Sequence, residues 1–194
     1  MPKATGPIYT VPFRRRREYR TNFAKRLALV KSRLPRLVVR KTNRHVLVLF
    51  VEYAKTGDHV LARANYEAIR AAGWLPKCNT PTAYLAAYQA ALLAKKAGVS
   101  DFVLDIGMAT PSTGSLVFAA LQGAIDAGLK TAFDAEMVPA DRLNGSAIAA
   151  YATALKKDNA DEYKKRFSEY LKANVTPENL PAVFEQAKAK LAKA

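Results

Sequence analysis

The sequence predicts an α/β fold: a mixed sheet, built from an antiparallel three-stranded meander plus a βαβ unit, covered by helices, with a basic N-terminal arm and helix and a helical C-terminal extension. Three observations predict it. Val- and Leu-rich segments at 37–40, 45–53 and 59–64 are separated by the turn-prone Thr42-Asn43-Arg44 and Lys55-Thr56-Gly57-Asp58, the pattern of consecutive hairpins. A strand at 102–106, a helix at 115–127 closed by Gly128 and a strand at 129–133 follow the order of a βαβ unit, which implies parallel pairing. At both ends of the chain, apolar residues recur at spacings of three and four. The expected division is a basic arm and helix over 1–34, a mixed α/β domain over 35–155 and a helical extension over 156–194.

Residues 1–12 carry Pro2, Gly6, Pro7 and Pro12, a composition suited to an extended arm that orders on a partner. Over 13–34, Tyr19, Phe23, Leu27, Val30 and Leu34 draw one apolar stripe, so a single helix is expected to dock that stripe on the protein and leave its cations outward. Pro35 ends it, because the residue before a proline is pushed out of the α region. The middle strand, 45–53, is apolar almost without alternation and predicts burial on both faces. Helices are expected over 66–72, ended by Gly73, and over 81–97, ended by Gly98, with Trp74 in the core. Beyond Pro139 the stripes Ile148, Tyr151, Leu155 and Tyr163, Phe167, Tyr170, Leu171 predict helices. A last helix is expected to start at Asn179 and Pro181.

Charge is the strongest functional signal. The chain carries 31 Lys plus Arg against 16 Asp plus Glu, a formal net charge of +15. Residues 1–44 hold fourteen of those basic groups and one acid, Glu18, so this quarter alone accounts for a surplus of thirteen. The rest of the chain is nearly neutral, as expected of a globule with a cationic face attached. From residue 13 to 44, Arg outnumbers Lys ten to three. The guanidinium binds phosphate in a bidentate manner and stacks on bases, which points to nucleic acid over a diffuse anionic surface. No helix-turn-helix, zinc-finger or basic-zipper pattern is present, and structured RNA is commonly held by irregular basic segments, so RNA is favoured over DNA.

Other motifs carry less. The loop 105–115 resembles a phosphate loop but lacks the Gly-Lys-Ser/Thr ending, so Ser112, Thr113 and Ser115 are expected to cap a helix more than to hold a phosphate. Asp101, Asp105, Asp126 and Asp134 raise a two-metal nuclease, yet their spacing does not imply convergence. His45 and His59 lack catalytic partners at motif spacing, although His45 beside Arg44 is placed to stack on a base. Cys78 is a lone cysteine, which fits a reducing cytosol and excludes an internal disulfide. No apolar run spans a bilayer, so a membrane partner is not expected.

The blocks Arg14-Arg15-Arg16-Arg17-Glu18-Tyr19-Arg20, Leu27 to Lys31, Pro35-Arg36-Leu37-Val38-Val39-Arg40-Lys41-Thr42-Asn43-Arg44-His45, Leu104-Asp105-Ile106-Gly107 and Gly114-Ser115-Leu116-Val117-Phe118-Ala119-Ala120-Leu121 together carry a family resemblance. They are similar to the 5S-rRNA-binding large-subunit ribosomal protein family numbered eighteen in the bacterial series, in its archaeal and eukaryotic branch. The resemblance spans about residues 5–155 and departs at Leu116 and Gln122, where relatives often carry a basic residue. It implies a mixed α/β fold, no catalysis and no cofactor. It also implies a place in the central protuberance of the cytoplasmic ribosome, bridging 5S rRNA to 23S rRNA beside neighbouring large-subunit ribosomal proteins. Its matching residues Arg14, Arg15, Arg16, Arg17, Arg20, Arg36, Arg40, Lys41, Asn43, Arg44 and His45 would carry RNA contacts. The charge pattern adds Lys25, Arg26, Lys31 and Arg33, and Tyr19 is expected to stack on a base. The competing readings are a general RNA chaperone and a metal-dependent nuclease.

Overall fold

The computed structural model describes residues 6–193. Residues 1–5 of the expected arm lie outside the described residues, and residues 6–12 carry no helix or strand, with Ile8 and Val11 exposed. Two short helices follow, α1 (Arg14–Arg17) and α2 (Phe23–Lys31). The single helix expected over 13–34 is therefore broken. Tyr19 takes the left-handed region at φ 53°, ending α1, and the Asn22 side chain accepts from Lys25 N–H at 3.0 Å, capping a new helix.

The meander comes next as β1 (Arg36–Lys41), β2 (Val46–Glu52) and β3 (His59–Arg63). A short helix α3 (Tyr66–Ala71) leads to the long α4 (Thr80–Lys96), then β4 (Val103–Asp105) and α5 (Leu116–Asp126). The sheet order is β3-β2-β1-β4, with β1 antiparallel to β2 and parallel to β4. The second strand of the expected βαβ unit, 129–133, is reduced to one parallel bridge between Asp101 and Lys130. The reason is the shortness of β4, which has three residues, so a neighbour gains little ladder by extending along it.

Strand alternation divides the sheet into two unlike faces. Leu37, Val39, Val46, Val48 and Phe50 are fully buried on one face, under α4 and α5. On the other lie Arg36, Val38 and Arg40, opposite Val51, Leu49 and Leu47. Leu47 is 43% exposed and Leu49 is half-buried, so β2 is not buried on both faces as its unbroken apolar run predicts. Helices fill one side, whereas the other meets the basic N-terminal segment through ion pairs.

Helix α4 is buried along most of its length because its small residues Ala83, Ala86, Ala87, Ala90, Ala91 and Ala94 let neighbours approach from several sides. Asn79 caps it through Thr82 N–H at 3.0 Å, and Thr82 Oγ1 accepts from Trp74 Nε1 at 2.9 Å, which satisfies the buried indole. The C-terminal part contains α6 (Ala140–Leu143), α7 (Ser146–Asp158), α8 (Ala160–Arg166), α9 (Ser168–Lys172) and α10 (Leu180–Lys193). Tyr163, Phe167 and Tyr170 cluster their rings, and α10 packs back on α4 through Phe184 against Tyr84.

Candidate nucleic-acid interface

The expected cations occupy three adjoining pieces: α1, α2 and the β1–β2 turn. Arg14, Arg15, Arg16 and Arg17 are all exposed on α1. Glu18 pairs with Arg14 at 3.3 Å and Arg20 at 3.2 Å, and Arg15 Nε donates to Thr21 Oγ1 at 2.8 Å. Lys25, Lys31 and Arg33 are exposed on and just after α2. In the turn, Thr42 Oγ1 accepts from His45 N–H at 2.9 Å and Thr42 N–H donates to the His45 carbonyl at 2.8 Å. This closure holds Lys41, Asn43, Arg44 and His45 outward, all exposed.

Three predicted residues, Arg36, Arg40 and Arg26, behave differently. Arg36 is 1% exposed, and its guanidinium is taken by Asp105 Oδ2 at 2.9 Å and Asp58 Oδ2 at 2.7 Å. A phosphate contact from Arg36 is thereby replaced by an internal role. Arg40 is half-buried: Nη2 donates to Asp105 Oδ1 at 2.7 Å and Nη1 to the Asp105 carbonyl at 2.6 Å. Arg26 Nη2 donates to Asp58 Oδ1 at 2.7 Å. The result is a chain of alternating charge, Arg26, Asp58, Arg36, Asp105, Arg40, that fastens α2 to the sheet face. Sequence reasoning missed both carboxylates as anchors, since the pairs join residues from 22 apart (Arg36 to Asp58) to 69 apart (Arg36 to Asp105) and leave no local signal.

Asp58 carries a pH consequence. Burial pushes its carboxyl up, but the hydrogen bonds and charges of Arg26 and Arg36 more than offset this and hold it below its ordinary value. A carboxyl depressed in the folded state contributes stability that is present above its unfolded value of about 4 and is lost as pH falls through the folded value. Asp58→Asn should therefore flatten the decline in thermal stability measured below about pH 4, relative to the unaltered protein. An unchanged acid limb would rule that assignment out.

Between α2 and the end of β4 lies a cleft of about 330 Å³ lined by Arg15, Arg20, Lys25, Arg26 and Arg40, with Asp105 and Gly107 at its floor. Gly107 has φ 63°, and a Cβ there would sit 2.8 Å from Arg40 Cζ, so only a glycine admits the guanidinium over this turn. A second opening, beside the β1–β2 turn, is lined by Lys41, Thr42, Asn43, Cys78, Asn79, Thr80 and Leu116. Leu116 contributes an apolar side chain there and no charge.

The acidic set does not converge. Asp105 is engaged by Arg36 and Arg40, while Asp126 accepts from Tyr84 and from Gln122 at 2.7 Å. Asp101 accepts from Ser100 at 2.8 Å, and Asp134 from Glu136 N–H at 3.1 Å. Among the described residues no group of three or more His, Cys, Asp or Glu could hold a metal ion. At the start of α5, Ser115 sits at the cap position but its side chain caps nothing, and its buried Oγ lacks a partner among the described residues, contrary to the capping expected of it.

Residues 8–103 match the family model described as ribosomal large subunit proteins 60S L5 and 50S L18. The large ribosomal subunit protein uL18 of Ignicoccus hospitalis is 44% identical over 190 residues, which covers 97% of this chain and 93% of that protein. This is a family of ribosomal structural proteins and not of enzymes. With a cationic N-terminal face on a one-sided mixed sheet, and identity running through nearly its whole length, the chain belongs to the uL18 family of large-subunit ribosomal proteins, in its archaeal and eukaryotic branch.

Proposed function

We propose that the chain is a structural constituent of the large subunit of the cytoplasmic ribosome that binds 5S rRNA and helps attach it to 23S rRNA in the central protuberance, beside neighbouring ribosomal proteins. The observation that carries this reading is the array of exposed cations along α1, α2 and the β1–β2 turn, with α2 fastened to the face of the sheet that the core helices leave open. Arg14 to Arg17 and Arg20, with Lys25, Lys31, Arg33, Lys41 and Arg44, act as phosphate clamps. Asn43 and His45 reach base edges or stack, and Tyr19 offers a ring. Arg26 and Arg40, half-engaged by carboxylates, line the cleft and contribute from fixed positions. Among the described residues no helix is long and apolar enough to cross a membrane, and the cations are spread over irregular backbone that suits a folded polyanion.

Binding of 5S rRNA should fall steeply with salt. Arg16, Arg17, Lys25, Lys31, Arg33, Lys41 and Arg44 are exposed, and no internal ion pair occupies them among the described residues. If these seven meet phosphates, the slope of log affinity against log salt is about −5 to −6, taking 0.7 to 0.9 per contact. Replacing Arg16 and Arg17 by Gln should make that slope shallower by roughly 1.5. Competition between 5S rRNA and tRNA tests the finer claim: equal affinity for both would point to a general RNA chaperone and defeat the 5S reading. Footprinting of 5S rRNA with the intact protein then locates the contacts.

A further inference from the structure

Of the stripe expected to dock on the protein, Val30 is half-buried and the rest is left exposed. Phe13 is 77% exposed, Tyr19 77%, Phe23 38% and Leu27 56%, and α2 has no buried residue. Phe13 and Phe23 pack on one another, their ring centroids 5.6 Å apart and tilted by 54°. Beside Phe23 opens a cleft of about 290 Å³ lined by Arg16, Tyr19, Thr21, Asn22, Phe23, Ala24 and Met108. Two rings and a thioether thus border a slot, with a guanidinium at its rim. Tyr19 is held at φ 53°, a region that side chains other than glycine and asparagine seldom adopt, and this backbone turn is what sends its ring outward.

Charge selects the occupant. An exposed aromatic surface suits a protein, a membrane or a nucleobase, but this one lies between Arg14 to Arg17, Arg20 and Lys25, with Glu18 as the local acid. Glu18 is already taken up by Arg14 and Arg20. The occupant is therefore polyanionic and carries flat apolar groups, which describes RNA with unpaired bases. We propose that the slot between Tyr19, Phe23 and Met108 takes one unstacked base of the bound RNA, with Arg16 on its phosphate. The Phe13 ring buttresses Phe23, and Thr21 and Asn22 supply polar atoms at the base edge. This deepens the RNA-binding reading above and rests on it. It adds selectivity for unpaired segments to a charge array that by itself attracts any RNA.

The test compares the intact protein with Tyr19→Leu/Phe23→Leu, which keeps apolar bulk and removes the rings, and with Phe23→Trp, which keeps a stacking face. The probes are a short single-stranded oligoadenylate and a fully paired RNA duplex of equal length, titrated at one salt concentration. The double variant should bind oligoadenylate about 10- to 100-fold more weakly, at the scale of base–aromatic stacking, while duplex affinity changes less than about threefold. Phe23→Trp should retain oligoadenylate binding. Unchanged oligoadenylate affinity, or an equal loss for both probes, overturns the slot. So does intact RNA selectivity accompanied by lost retention of other ribosomal proteins, which would make the face a protein interface. If the unaltered protein binds neither RNA, the underlying RNA reading fails instead.

Discussion

Asp105→Ala is expected to destabilise the protein by about 3 to 5 kcal/mol, the cost of leaving a buried charge without its partner. The carboxylate is 8% exposed and serves three donors: Arg36 Nη1 at 2.9 Å, Arg40 Nη2 at 2.7 Å and Gly107 N–H at 2.9 Å. The Arg40 arm adds little, since its side chain is 38% exposed and solvent can replace the contact. Arg36 decides the outcome. Its side chain is 2% exposed, so without Asp105 its charge rests on Asp58 alone. For a domain of this size the loss corresponds to a melting temperature lower by roughly 6 to 20 °C. Arg36→Met/Asp105→Leu should recover much of it, because an apolar pair of similar volume avoids desolvation and removes an Arg36 Nε that is buried without an acceptor. A double-mutant cycle would measure the coupling, and a single variant melting within about 2 °C of the parent would show that the ion chain is dispensable.

That result would also bear on recognition. Arg40 sits over Gly107 because Asp105 holds it there from both its side chain and its carbonyl. Released, it would reach solvent as one more flexible cation. RNA affinity in Asp105→Ala should then change less than stability, and the salt slope should stay within about one contact of the parent.

The contrast between Arg36 and Arg40 shows where sequence reading ends. Both belong to one Arg-Leu-Val-Val-Arg run, and alternation puts them on one face. Their fates differ because Arg36 lies level with Val51 and Val103, flanked by strands on both sides, whereas Arg40 lies beyond the end of the β4 pairing. Depth within a sheet depends on which strand becomes the neighbour, and β4 is more than sixty residues away in the chain. The meander and helices α4 and α5 were legible because turn residues and apolar periods are local. Tyr19, Phe23 and Leu27 show the complementary case. Their spacing predicts one stripe on one helix, but the break at Tyr19 interrupts that helix, and no spacing tells whether the protein itself covers such residues. The isolated Lys130 bridge in place of a strand has the same origin, since a segment can be apolar and still find too short a partner.

Gly123→Ala is expected to destabilise the protein even though alanine is the better helix former by about 1 kcal/mol. Gly123 lies inside α5, against α4. A Cβ there would fall 2.4 Å from the Tyr84 carbonyl oxygen, 3.1 Å from its carbonyl carbon and 3.2 Å from its Cα. These are backbone atoms, so no rotamer change relieves the overlap, and the two helices must separate. Separation loosens the packing of two helices rich in fully buried alanines, among them Ala83, Ala87, Ala119 and Ala120, which have no longer side chain to fill a gap. Overpacking of this kind costs about 1 to 3 kcal/mol and more where the backbone itself must move, so a net loss of about 2 kcal/mol or more is expected. Chemical denaturation should show it as a lower midpoint with an unchanged slope. Gly98→Ala is the informative comparison: φ there is 86° with no atom within 4 Å, so its cost comes from backbone strain alone and should be near 1 kcal/mol. Because α4 and α5 cover the face of the sheet opposite the ion chain, Gly123→Ala should leave the salt slope of RNA binding intact while lowering the temperature at which binding is lost. A variant as stable as the parent would mean that the α4–α5 seam has room the backbone distances deny it.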